Sequence, residues 1–62
     1  MYIMYEYGTF VSIRKARDQE ISKPDRLNPR WRGLFKTKEQ AISIAEKTGK
    51  TVVVDGQVSY AN

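Results

Sequence analysis

The sequence predicts a small α+β domain: a mainly antiparallel, twisted sheet of four to five short strands, with one α-helix packed on one face. Two turn dipeptides, Gly8-Thr9 and Asp55-Gly56, each separate runs rich in β-branched or aromatic residues, which is the pattern of a β-hairpin. Between the hairpins, one segment beginning at Thr37 has a helix cap and apolar residues at helical spacing. Together these observations predict the order β-β-loop-β-α-β-β.

The first hairpin is predicted from Tyr2 to Tyr7 and from Phe10 to Lys15, with a two-residue turn in which glycine comes first. That turn places Met4 opposite Ile13. Because side chains alternate along a strand, the hairpin has two partly apolar faces. One face carries Ile3, Tyr5, Tyr7 and Phe10, and the other carries Met4, Val11 and Ile13. The pattern leaves open which face is buried.

A long basic loop is predicted at about residues 17–29, because Pro24 and Pro29 both oppose a helix or a central strand. A loop of this length in so small a domain is typical of a functional or disordered segment. A short strand is predicted to follow, and its apolar side chains are expected to contribute to the core: Trp31, Leu34 and Phe35.

The helix is predicted to begin at Thr37, whose hydroxyl can accept an early backbone N–H, with Gln40 able to reach back. Its narrow apolar stripe consists of Ala41, Ile44 and Ala45, and Gly49 is expected to end it in a left-handed conformation. Strands are then predicted at Thr51 to Val54 and at Gln57 to Tyr60. Their predicted pairs are Val54 with Gln57, Val53 with Val58 and Thr51 with Tyr60, and the face of Val53 and Val58 is expected to lie under the helix.

Length and composition limit the class of protein. The 62 residues suit a single domain, 1–62, near the lower size at which a chain folds without disulfides or metals. The sequence contains no cysteine and no histidine, so the commonest metal ligands and catalytic bases are missing. Three acids come closest to forming a cluster of carboxylates, and we interpret them as solvated partners of nearby cations: Asp18, Glu20 and Asp25. We therefore expect no catalytic residues, no metal, no cofactor and no enzymatic activity, and a cytoplasmic protein without membrane contact.

Positive charge is concentrated in the middle of the chain. The segment from Arg14 to Lys38 has nine cations against three acids, a net charge of +6 within a total of +4. Such asymmetry is typical of a surface that attracts phosphates or an acidic protein, although small basic domains also use cations for solubility. The predicted basic surface consists of Arg14, Lys15, Arg17, Lys23, Arg26, Arg30, Arg32, Lys36 and Lys38. Trp31 is either a core residue or a platform for stacking bases.

About a third of the chain resembles, in outline, small α+β proteins encoded by bacterial viruses, including compact anti-CRISPR proteins with a bent sheet and one helix. The resemblance lies in the segment from Phe35 to Ala41, the glycine at position 49 and the segment from Val53 to Gly56. It implies a stoichiometric inhibitor that occupies the surface of a nucleic-acid-handling machine in the host cytoplasm. These shared residues indicate a fold and carry no functional residue across.

Three functions are consistent with these observations. The leading hypothesis is a non-enzymatic inhibitor of phage or mobile-element type that binds a bacterial nucleic-acid-binding protein complex through the basic surface. The alternative is a module that binds nucleic acid directly with the same cations. The third is a structural or assembly module, a monomer or weak dimer, that pairs edge to edge through Thr51 to Val54 or through the first hairpin.

Overall fold

The computed structural model describes the backbone of residues 1–60 and the side chains of residues 1–58. The α+β class is confirmed, with a five-stranded sheet in the order β3-β1-β2-β4-β5. Two features differ from the prediction: the sheet is mixed, because β2 and β4 pair in parallel, and there are two helices. The elements are β1 (Tyr2–Glu6), β2 (Phe10–Lys15), α1 (Asp18–Ser22), β3 (Trp31–Phe35), α2 (Lys38–Glu46), β4 (Thr51–Val54) and β5 (Gln57–Tyr60).

The first hairpin has the predicted register, with Met4 opposite Ile13 and Tyr5 opposite Ser12. The face that packs under α2 carries Met4, Val11 and Ile13, which form the core cluster with Ala41, Ala45 and Val52, and Ile3 on the opposite face is also fully buried. The turn differs in one respect, because Gly8 does not take the positive φ that a turn with glycine first requires. The two-residue connection alone therefore fixes this register.

Helix α2 begins and ends where the sequence predicts. The Thr37 hydroxyl accepts the Gln40 backbone N–H at 3.1 Å, and Gly49 takes a left-handed φ of 74° after the last turn. The predicted stripe is only partly correct, since Ala41 and Ala45 are buried whereas Ile44 is 41% exposed. Small side chains let α2 lie close to the sheet as it crosses from β3, at one edge, over β1 and β2 to β4.

The second hairpin has the predicted turn, because Asp55 and Gly56 have φ values of 52° and 80°. Two predicted pairs are confirmed, Val54 with Gln57 and Val53 with Val58. The third is wrong, since a register shift between Val52 and Val53 places Tyr60 opposite Val52.

The face of β4 predicted to lie under the helix is also wrong. Val52 is fully buried and Val54 packs at the edge of the core, while Val53 is on the opposite face. The cause is the parallel pairing with β2, which puts Val52 beside Val11. Side chains of neighbouring strands at paired positions share a face, so the buried face of β2 dictates that of β4.

Helix α1 lies within the predicted loop and corrects the prediction of a single helix. Five residues are too few to form a stable helix alone. The Glu20 carboxylate holds the first turn by accepting the Arg17 backbone N–H at 2.8 Å, and it also binds the Arg14 guanidinium through two hydrogen bonds of 2.8 and 2.5 Å. Because α1 buries no residue, it left no apolar pattern in the sequence.

The sheet edges are β3 and β5. Strand β4 has β2 and β5 as neighbours, and the first hairpin lies between β3 and β4. Both strand segments that the sequence suggested for edge-to-edge pairing are therefore interior, with their backbone groups already paired on both sides.

Candidate binding surfaces

Four aromatic side chains lie on the sheet face opposite α2, and we call Tyr5, Tyr7, Phe10 and Trp31 the aromatic face. Register places them there, because Tyr5 pairs with Ser12 on one side and with Trp31 on the other, whereas its neighbour Met4 points to the core. All four side chains are half-buried, and Ile3, which lies on the same face of β1 as Tyr5, is fully buried. The sheet thus buries residues on both faces, and the part of the second face that carries the four aromatic side chains is partly accessible.

The most organised part of this face is a stack at the hairpin end. The rings of Tyr7 and Phe10 are 4.6 Å apart between centroids with an interplanar angle of 17°. The Arg30 guanidinium lies 5.0 Å from the Tyr7 centroid, over the ring. Arg30 forms no ion pair within the described part of the chain, so its charge remains available to a ligand. Aromatic rings and a guanidinium together can stack on bases and bind phosphate.

Residues 17–30, which we call the flap, are fixed to the same face. Arg14, on β2, binds Glu20 of the flap and also lies 5.9 Å over the Tyr5 ring. The Tyr5 hydroxyl donates to Asp25 Oδ2 at 3.2 Å. These two contacts hold the flap across the part of the aromatic face that lies away from the Tyr7–Phe10 stack.

Both contacts change the titration of the groups involved. The hydrogen bonds from the Arg14 guanidinium, followed by that from the Arg17 N–H, lower the pKa of Glu20 from 4.5 to about 2. Burial raises the pKa of Tyr5, and the neighbouring Asp25 raises it further. Glu20 is therefore ionised over the whole physiological range, and Tyr5 keeps the proton that it donates to Asp25.

The sequence left open whether Trp31 is a core residue or an exposed platform for stacking bases. In the structure its side chain is half-buried, which is intermediate between the two. Its backbone pairs with Tyr5, and its Nε1 atom is buried without a hydrogen-bond partner among the described residues. An indole N–H without a partner is costly, so the ring position is set by packing against the sheet. Trp31 therefore contributes to the inner part of the aromatic face, while Tyr7 and Phe10 form its organised stack.

Three of the nine predicted cations are paired with acids. Arg14 binds Glu20, Arg32 Nε lies 3.0 Å from Glu6 Oε1, and Lys38 Nζ lies 3.8 Å from Asp55 Oδ2. Lys50, which lies outside the predicted basic surface, binds Glu6 at 2.8 Å and donates to the Tyr7 carbonyl oxygen at 2.7 Å. The Lys50 and Arg32 hydrogen bonds, in that order, lower the pKa of Glu6.

The other six predicted cations have no ion-pair partner within residues 1–58, but the structure does not bring them to one place. Lys15, Arg17 and Lys36 lie at the end of the sheet where β2 and β3 terminate. Lys23 and Arg26 lie on the flap, and Arg30 lies at the opposite end, over Tyr7. The basic surface is thus divided into a sheet-end group, Lys15, Arg17 and Lys36, and a group along the flap.

Residues for other chemistry are not assembled in the described part of the chain. No group of three or more acidic, cysteine or histidine side chains there could hold a metal ion. Among those same residues, no helix is long and apolar enough to cross a membrane.

No family model matches the chain, and no match is found among curated proteins or solved structures. The resemblance to anti-CRISPR proteins therefore stays a prediction. The Tyr7–Phe10 stack was within reach of sequence reasoning, because the hairpin register puts these residues opposite each other, whereas the position of Arg30 over Tyr7 depends on the path of the flap.

Proposed function

We propose that this chain is a non-enzymatic binding protein of phage or mobile-element type whose direct ligand is single-stranded nucleic acid. The observation that supports the proposal is the Tyr7–Phe10 stack on the face opposite α2, with the Arg30 guanidinium, which has no ion-pair partner among the described residues, over the Tyr7 ring. An aromatic ring can stack on the face of any base, and a cation beside it can neutralise the adjoining phosphate. The cytoplasm, where such ligands occur, is the proposed location.

The Tyr7–Phe10 stack favours a single-stranded ligand and not a duplex. Bases in a duplex are already stacked on one another and present only their edges, so aromatic rings in a sheet face reach them only when the strand is unpaired. The cations along the flap, Lys23 and Arg26, lie on the same side of the sheet as Arg30 and can contact successive phosphates. Salt should therefore weaken binding in proportion to the phosphates contacted.

Fluorescence anisotropy with a labelled oligothymidine, an oligouridine and a duplex of equal length tests the proposal. We expect binding to the single strands at low salt and a weaker signal with the duplex. Phe10→Leu should weaken binding about tenfold, because one base–aromatic stack contributes about 1–3 kcal/mol. Arg30→Gln should also weaken it, whereas Lys47→Gln, which removes an equal charge on the α2 side, should have little effect. Equal losses for the Arg30 and Lys47 variants, or no binding at low salt, contradict the proposal.

A second candidate is a stoichiometric inhibitor of a bacterial nucleic-acid-handling machine, similar in action to anti-CRISPR proteins. The observation that favours it is the sheet-end group, whose three cations have no ion-pair partner within residues 1–58 and lie at the other end of the sheet from the Tyr7–Phe10 stack, so they suit an acidic protein surface. A pulldown from a bacterial lysate, with and without nuclease, separates the two candidates. A partner retained after nuclease treatment and lost in the double variant Lys15→Glu and Lys36→Glu supports the inhibitor, and loss of all partners with nuclease supports nucleic acid.

A further inference from the structure

We propose that Arg14 and Tyr5 form a second subsite for the single strand, and that the free protein fills this subsite with two carboxylates of its own flap, Glu20 and Asp25. The subsite rests on the proposed function, since it belongs to the same aromatic face. It gives the strand a second place to bind, at which the phosphates of the strand compete with the flap.

The aromatic face contains one arrangement twice, a tyrosine ring with a guanidinium over it. Arg30 lies 5.0 Å from the centroid of the Tyr7 ring, and Arg14 lies 5.9 Å from the centroid of the Tyr5 ring. The two tyrosines are two residues apart along the chain, so their side chains lie on one face about 7 Å apart. A strand bound at Tyr7 can therefore continue to Tyr5 and Arg14.

The flap gives this second arrangement the kind of acceptor that a phosphate also supplies. The Arg14 guanidinium donates to both carboxylate oxygens of Glu20, at 2.8 and 2.5 Å, which is the bidentate geometry that a guanidinium also offers to a phosphate. The Tyr5 hydroxyl donates to Asp25 Oδ2 at 3.2 Å. Both donors are thus occupied by anionic oxygens of the same chain.

The rest of the flap is not anchored in the sheet. Within the described part of the chain, the backbone hydrogen bonds of residues 17–27 stay within the flap, as from the Lys23 N–H to the Gln19 carbonyl oxygen. None of residues 17–30 is buried, and the side chains of Ile21 and Leu27 are both exposed. Lifting residues 17–27 therefore breaks no backbone hydrogen bond to a strand and removes no side chain from the core.

The variant Glu20→Gln tests the competition, because it removes the charge that binds Arg14. In fluorescence anisotropy with a labelled oligothymidine, we expect it to bind about fivefold more tightly than the unsubstituted chain, since the strand no longer displaces a bound carboxylate. Asp18→Asn is the matched control. It removes an equal charge from the same helix, and Asp18 forms no ion pair among the described residues, so this variant should bind like the unsubstituted chain. In an Arg14→Gln background, Glu20→Gln should give no gain.

Hydrogen exchange measures the opening of the flap separately from affinity. The backbone N–H groups of Ile21 and Lys23 donate within the flap to the Arg17 and Gln19 carbonyl oxygens. They should exchange faster in Glu20→Gln without any oligonucleotide, and faster in the unsubstituted chain when oligothymidine is added, because five residues form no stable helix without the Glu20 contact. If circular dichroism shows that Glu20→Gln is unfolded, Asp25→Ala, which frees the Tyr5 hydroxyl, carries the same expectations.

The outcomes distinguish the subsite from the proposed function. Oligothymidine binding without a gain in Glu20→Gln, or without faster exchange at Ile21 and Lys23, overturns the subsite and leaves the strand bound at the Tyr7–Phe10 stack alone. A gain that persists in the Arg14→Gln background, or that Asp18→Asn equals, also overturns it, because the effect is then one of net charge. No binding by any of these chains overturns the proposed function and the subsite together.

Discussion

Replacing Glu20 by glutamine should destabilise the domain, because this carboxylate holds the first turn of α1 and makes one of the two contacts that fix the flap to the sheet. The hydrogen bonds from Arg14 and the Arg17 N–H lower the pKa of Glu20 from 4.5 to about 2. Fully realised, that difference corresponds to about 3 kcal/mol of stability. The side chains of Arg14 and Glu20 are 38% and 22% exposed, so solvent screening reduces the expected loss to about 1–2 kcal/mol.

The pH dependence has a definite sign. A carboxyl whose pKa is lowered by folding stabilises the protein above its unfolded pKa, and this stabilisation disappears as pH falls through the folded value. For Glu20 the window runs from about pH 4.5 down to about pH 2. The difference in stability between the unsubstituted chain and Glu20→Gln should therefore be constant at neutral pH and should vanish across that window.

Thermal and urea unfolding, followed by circular dichroism and by the fluorescence of the single Trp31, measure the effect. For a domain of this size, about 1 kcal/mol lowers the Tm by about 4–8 °C. Glu46→Gln is the matched control, since Glu46 lies on α2 and forms no ion pair within the described residues. A loss at Glu20 no larger than at Glu46, or a difference that persists at pH 2, refutes the reasoning.

Three further substitutions test the fold by the same unfolding measurements. Thr37→Ala should cost about 1 kcal/mol through loss of the helix cap, and a neutral result shows that α2 does not depend on this hydroxyl. Ile13→Ala should cost about 2–5 kcal/mol because the side chain is fully buried, whereas Ile44→Ala, at 41% exposure, should cost about 0.5 kcal/mol or less. Gly56→Ala should cost about 1 kcal/mol because φ is 80°, while Gly8→Ala, which has open space and no positive φ, should be neutral; equal costs contradict the turn geometry.

Local signals explain which parts of the fold could be predicted. Thr37 and Gly49 define α2 through contacts a few residues away, and Asp55-Gly56 defines its hairpin in the same way. The parallel pairing of Val52 with Val11 has no local signal, and it was this pairing that determined which face of β4 is buried. Helix α1 depends likewise on the contact between Arg14 and Glu20, which no propensity of its five residues expresses.

The candidate surfaces, like the fold, were predicted only where residues close together in the sequence determine them. Charge counting located the basic segment but could not show that Arg32 and Lys38 are paired with acids, because their partners Glu6 and Asp55 lie outside that segment. Only the path of the flap brings Arg30 over Tyr7 and exposes Leu27.

The parallel contact between β2 and β4 also has a consequence for how the chain acquires its structure. Each hairpin can form within microseconds, because its two strands are neighbours in the chain. The pairing of β2 with β4 is slower, because the long segment that contains β3 and α2 must first bring the two strands together. Until then, Val11 and Ile13 on β2 and Val52 and Val54 on β4 line unprotected strand edges that can join other nascent chains. Aggregation should therefore compete with refolding in this short interval, and the yield of native protein should rise on dilution.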